Sequence, residues 1–212
     1  MRITIVYDNY VYKEGLTADW GFSCLVEAHG RKILFDTGAK GGILFDNMSR
    51  LDINPVDISD IFISHYHWDH TGGLPDILNT GPKKIYLPLS CEGPQGGHEV
   101  FRIDKHKAIC EGIYTTGELE GIEQSMIVEA GNGLVVIAGC SHPGVGAILE
   151  AASLYGNPRV LVGGLHGFNK FDLLSGLDTV CPTHCTQHRD SIKNMFPGKY
   201  IEGGAGKIIC IT

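Results

Sequence analysis

Three imidazoles and a carboxylate fall within six positions in His65-Tyr66-His67-Trp68-Asp69-His70. Neutral imidazole and carboxylate are the side chains that hold borderline divalent cations, so this stretch reads as a metal-binding loop. His65 and His67 stand two apart, and at the end of an extended strand they project from the same face. Asp69 and His70 come where the chain is already turning, so they aim at a different spot. One ion gripped by the first pair and a neighbour gripped by the second is the arrangement this spacing predicts. Burying that many polar groups as ordinary core would need a compensating partner for each, which argues against a purely structural role.

The elements that must position this loop are legible around it. Apolar Ile61, Phe62 and Ile63 predict a buried strand, Gly72-Gly73 a tight turn, and Leu74, Ile77 and Leu78 the start of a helix. Residues 2 to 7 predict a strand ending at Asp8-Asn9, followed by a polar loop whose aromatics, Trp20 above all, are candidates for one wall of a substrate mouth. A hairpin is expected over Phe22 to Ala28 and Lys32 to Phe35. Asp36, at its end, either orients a metal-bound imidazole from behind or caps the helix announced by Leu44, Met48 and Leu51. Residues 88 to 107 read as an irregular lid or substrate-contacting insertion, with Arg102 and Lys105 as candidate anion contacts.

The second half repeats one device. Apolar runs at 134 to 138, 160 to 162 and 179 to 181 each deliver a histidine at their carboxyl end: His142, His166 and His184. Carboxyl ends of strands are where α/β folds build their sites. Six of the ten histidines therefore lie at predicted strand exits. Gly203-Gly204-Ala205-Gly206-Lys207 is no phosphate loop, because positions 201 and 208 are both Ile where that motif needs Gly and Ser or Thr; a hairpin into a last strand over 208 to 211 is expected instead.

The 212 residues are read as one domain, 1 to 212, and 29 glycines imply many short elements joined by tight turns. A formal charge of -7, from 17 Lys and Arg against 24 Asp and Glu, is wrong for a nucleic-acid partner. Seven scattered cysteines without a C-x-x-C pair predict reduced thiols, several of them plain core residues, and a cytoplasmic protein. The chain starts a strand at once, leaving no room for a signal peptide, and no apolar run is long enough for a membrane span.

His65-x-His67-x-Asp69-His70, with His142 and His184 at wide intervals and Leu34-Phe35-Asp36-Thr37-Gly38 ahead of it, resembles the metallo-β-lactamase superfamily over nearly the whole chain. The resemblance implies an α+β, four-layer αββα sandwich: two mixed β-sheets flanked by helices, with the site at one edge. It implies that His65, His67 and His142 hold one metal and that Asp69, His70 and His184 hold the other. Gly139-Cys140-Ser141-His142, Gly163-Gly164-Leu165-His166 and Pro182-Thr183-His184-Cys185-Thr186 are similar to a smaller branch, the 7,8-dihydropterin-6-methyl-4-(β-D-ribofuranosyl)-aminobenzene-5'-phosphate synthase-like metal-dependent hydrolases. One departure stands out. Many members carry a metal-bridging Asp between the third and last histidines, where this chain has Gly163-Gly164-Leu165-His166, so His166 either takes over as a ligand or contacts substrate.

Such a donor set suits one or two divalent ions, zinc first, manganese or iron next, over magnesium or calcium. Superfamily members that reduce oxygen have Glu in place of His67. Zinc held by three imidazoles lowers its water to a pKa of about 7, and the resulting hydroxide would attack a small ester-type substrate, a phosphate-bearing one among the candidates. Asp69 would orient the nucleophile and His166 would protonate the leaving group. A pterin-linked transferase or synthase and a non-catalytic metal-binding protein are the competing expectations.

Overall fold

The structure, a computed structural model, describes residues 1–81 and 83–212. Among these described residues thirteen strands form two sheets, with five α-helices against them. The first sheet holds β1 (Arg2–Tyr7), β2 (Ser23–Ala28), β3 (Arg31–Phe35), β4 (Asp60–Phe62), β5 (Lys84–Pro88), β6 (Glu99–Ile103) and β13 (Ile208–Cys210), in the order β13-β1-β2-β3-β4-β5-β6. Its β13 to β3 half is antiparallel, and β3 to β6 run parallel. The second sheet holds β7 (Lys107–Cys110), β8 (Ile113–Thr115), β9 (Met126–Ala130), β10 (Gly133–Ala138), β11 (Pro158–Gly164) and β12 (Thr179–Thr183), ordered β12-β11-β10-β9-β8-β7, with β10, β11 and β12 parallel and the rest antiparallel.

Period-two alternation sorts the side chains into layers. Ile3, Ile5, Cys24, Val26, Ile33, Phe35 and Phe62 from one sheet meet Met126, Val128, Val135, Ile137, Val162 and Cys181 from the other. Phe35 and Phe62 stack at 5.4 Å in this middle layer. The intervening residues face outward. Leu25, Leu34, Ile61 and Ile85 pack on Leu44 and Met48 of α1 (Gly41–Arg50) and on Ile77 of α3 (Leu74–Leu78). Ile127, Val136 and Leu161 pack on Val145 and Ile148 of α4 (Val145–Ser153) and on Ile192 of α5 (Arg189–Met195). This is the expected αββα sandwich of two mixed sheets. A short helix, α2 (Trp68–Thr71), begins directly after His67.

Two local expectations fail. Residues 88 to 107 are not irregular throughout, because Glu99–Ile103 adds to β5 as a parallel edge strand and Lys107 opens the second sheet. Its alternation is hidden by Glu99 and Arg102, the charges that an exposed edge carries. Nor is the tail a hairpin: β13 pairs with β1, and Gly204 and Gly206 lie against Tyr12 and Lys13 of the first long loop. No helix among the described residues is long and apolar enough to cross a membrane.

Candidate metal centre

The parallel strands of both sheets open onto one edge of the sandwich. From the first sheet, β3 ends at Asp36 and β4 runs into Ser64, His65, His67 and α2 with Asp69 and His70. From the second, β10 delivers Cys140 and His142, β11 delivers His166, and β12 delivers His184. The two edges meet only because Gly139 has no side chain: a Cβ there would lie 2.2 Å from Ser64 Oγ.

The six predicted ligands come together. Ring centroids of His65, His67 and His142 lie 4.5 to 4.9 Å apart. Those of His70 and His184 are 5.0 Å apart, and Asp69 Oδ2 sits 3.2 Å from His184 Nε2 and 3.9 Å from His70 Nε2. The groups adjoin, with His65 and His70 4.2 Å apart. The outward nitrogens of His65, His70 and His184 are tied down, which aims the inward ones. His70 Nδ1–H donates to Asp36 Oδ2 at 2.7 Å and His184 Nδ1–H to Asn9 Oδ1 at 2.8 Å. Ser64 Oγ–H donates to Asp36 Oδ2, so its oxygen accepts from His65 Nδ1–H at 2.9 Å. Asp36 therefore stands behind two imidazoles and does not cap α1, whose N-cap is Lys40.

Two inward nitrogens, His142 Nε2 and His184 Nε2, are buried without any hydrogen-bond partner. Orphaned acceptors of this kind, opposite a carboxylate, fit a divalent cation. Burial, reinforced by neighbouring imidazoles, holds His65, His70 and His142 below the ordinary histidine value, which favours the neutral rings that a metal ion requires. Burial alone would raise Asp69, but His184 and His70 outweigh it and keep that carboxyl well below the usual range.

Several bracing residues have no local signature. Glu123, buried, accepts from the amides of Gly139, Cys140 and Ser141 on Oε1 and of His142 on Oε2, at 2.9 to 3.1 Å. Burial pushes its carboxyl up to about 7 against the pull of those amides. Asp8 accepts from the His184 amide in the same way, with burial raising it to about 6. Asp36, Ser141, His166 and His184 all have positive φ, between 45° and 60°, a backbone region that side chains rarely adopt outside functional turns.

The remaining candidates separate. Trp20, half exposed, donates its indole N–H to Asp69 Oδ2 at 2.9 Å and packs edge-on against His184, so it walls the centre. His166 is exposed, 5.1 Å from the His142 ring, and belongs to neither imidazole group. Arg102 does not join the centre: its guanidinium donates to the Leu89 carbonyl, tying the segment after β5 to β6. Lys105 lies in the turn before β7, its backbone against Gly117. What the residue pattern did not single out is sulfur. Cys140 Sγ lies 3.2 Å from His70 Nε2 and 3.3 Å from Cys185 Sγ, so these two thiols are not plain core. Beside the histidine loop, Tyr66, Thr71, Leu74, Gly93, Pro94 and His98 border a groove of about 450 Å³.

Comparison with known proteins agrees with this architecture. The family model described as the metallo-beta-lactamase superfamily matches residues 21–185. The 7,8-dihydropterin-6-methyl-4-(beta-D-ribofuranosyl)-aminobenzene-5'-phosphate synthase of Methanocaldococcus jannaschii is 26% identical, over 97% of this chain and 95% of its own. A ribonuclease Z of Methanosarcina mazei is 33% identical over 64% of this chain and 42% of its own. A solved metal-dependent hydrolase of the beta-lactamase superfamily superposes with a TM-score of 0.81 at 27% identity, covering 100% of this chain and 99% of its own. A sandwich whose parallel strands converge on H-x-H-x-D-H and two later histidines, matched by that model over most of its length, places this chain in the metallo-β-lactamase superfamily.

Proposed function

We propose that this chain is a metal-dependent hydrolase of a small ester-type substrate. The observation that carries the reading is the pair of buried, unpartnered imidazole nitrogens on His142 and His184, facing the other histidines and Asp69. In this reading His65, His67 and His142 hold one divalent ion and Asp69, His70 and His184 a second, zinc being the best match to imidazole and carboxylate donors. When bound, such ions supply Lewis acidity and a water acidic enough to react near neutral pH. Asp69, kept ionised, accepts a hydrogen bond from the attacking water and sets its direction. Trp20 fixes Asp69 Oδ2 and covers one side of the centre. His166, exposed at the rim, is placed to donate a proton to the departing group. The groove beside Tyr66 and Thr71, closed by 92 to 98, takes the part of the substrate that does not react.

A pterin-linked synthase is the second reading, favoured by the end-to-end similarity to the methanogen synthase. One set of assays separates the two. Metal content is measured first, and the loaded protein is then offered chromogenic phosphodiesters, thioesters and lactams alongside a pterin with an arylamine. Hydrolysis that falls at least 100-fold in His65→Ala, together with metal content, supports the hydrolase. A pterin–arylamine adduct with no hydrolysis supports the synthase.

A further inference from the structure

We infer that Cys140 is a ligand of the metal centre, its thiolate shared between the two ion positions. This rests on the metal-binding reading above and adds a donor to it.

The inference starts from position. Sγ of Cys140 lies within 4.8 Å of ligand atoms of His65 and His142, and within the same distance of ligand atoms of His70 and His184. It is thus common to both imidazole groups, and to a third set with His166 and Cys185, whereas each histidine belongs to one set. Cys140 Sγ and His70 Nε2 are 3.2 Å apart. A sulfur and a nitrogen bound to one tetrahedral zinc, at about 2.3 Å and about 2.0 Å from it, stand roughly 3.5 Å from each other, so this pair needs little movement to share an ion.

Space gives the second argument. A side chain at Gly164, the last residue of β11, has no room: a Cβ there would lie 2.4 Å from the Gly139 carbonyl oxygen and 2.7 Å from Cys185 Sγ. The sulfur that fills this space is that of Cys185, which lies 3.3 Å from Cys140 Sγ. Cys140 is itself held rigidly, its amide donating to Glu123 Oε1 at 3.0 Å, and Cys185 S–H is 3.3 Å away as a hydrogen-bond donor to the Cys140 sulfur. A bridging anion also suits the charge, because two divalent ions facing Asp69 as the one ionised ligand would otherwise be undercompensated in a buried site. On binding, the Cys140 S–H bond breaks, the proton leaves to water, and sulfur keeps the electron pair it donates.

Cobalt(II) alone tests this without reference to turnover. Metal-free protein loaded with cobalt is expected to take up two equivalents and to show a thiolate-to-cobalt charge-transfer band in the near ultraviolet, which imidazole and carboxylate ligands do not give. Cys140→Ser should abolish the band and weaken the second equivalent at least ten-fold. Cys140→Asp, with folding checked by circular dichroism, should bind two equivalents without the band, and Cys185→Ser should keep it. Two equivalents bound by the unaltered protein with no band, or a band that survives Cys140→Ser, or its loss in Cys185→Ser alone, overturns the assignment while leaving the hydrolase reading intact. No cobalt uptake at all overturns both.

Discussion

Asp36 receives the Ser64 amide, the Ser64 hydroxyl and His70 Nδ1–H, each at 2.7 Å, and through Ser64 it also sets the tautomer of His65. Asp36→Asn exchanges an acceptor for a donor against that chain. Metal affinity should fall 10- to 100-fold, read by competition with a chromophoric chelator, and an unchanged affinity would contradict the orienting role. Glu123 is a different case, since it braces backbone and not imidazole. Glu123→Ala leaves four amides of the 139 to 142 turn, three of them buried, without that acceptor, and urea unfolding of metal-free protein should report a loss of about 3 kcal/mol. These two residues also mark what a linear pattern can carry. The clustered histidines are legible because their spacing and their place after apolar runs are local. Asp36 is legible in part, as an acid at a strand end. Glu123 sits 16 to 19 residues from its partners and Asn9 sits 175 from His184, so only the fold brings them together.

At the scale of elements, strands with apolar runs announce themselves, and β1 through β4 and β10 through β12 fall where those runs predict them. The edge strand β6 does not, because its inward residues are flanked by charges and its pairing is with a parallel neighbour rather than a hairpin partner. Glycines at the carboxyl ends of β10 and β11 carry more than flexibility. Gly163 has φ 134°, and a Cβ there would lie 2.0 Å from the Ala138 carbonyl oxygen, on backbone that cannot retreat. Gly163→Ala should therefore prise β11 from β10 just before both deliver site residues. A loss of about 3 kcal/mol or more in urea unfolding is expected, accompanied by reduced metal content; a variant as stable as the original would mean that the strand ends tolerate separation.

For the whole molecule, charge and fold pull apart. The chain resembles a ribonuclease Z in sequence, yet it carries a formal charge of -7. A polyanion of transfer-RNA size needs a broad basic surface to neutralise its phosphates. Precursor transfer RNA should accordingly bind weakly and remain uncut under conditions where small esters are turned over, as a gel assay would show. The convergence of both sheets on one edge has a mechanical consequence as well. Ions held between His65, His67, Asp69 and His70 of one sheet and His142 and His184 of the other would clasp the sandwich at that rim, while at the opposite rim the His29 ring meets the Glu129 carbonyl oxygen at 2.8 Å and side chains pack between the sheets. Stripping the ions with a chelator should thus open the molecule like a hinged book. Amide hydrogen exchange would quicken at the carboxyl ends of β4, β10, β11 and β12 and stay slow in the Ile3, Val26 and Ile33 layer; a uniform change across both rims would show that the clasp carries no local load.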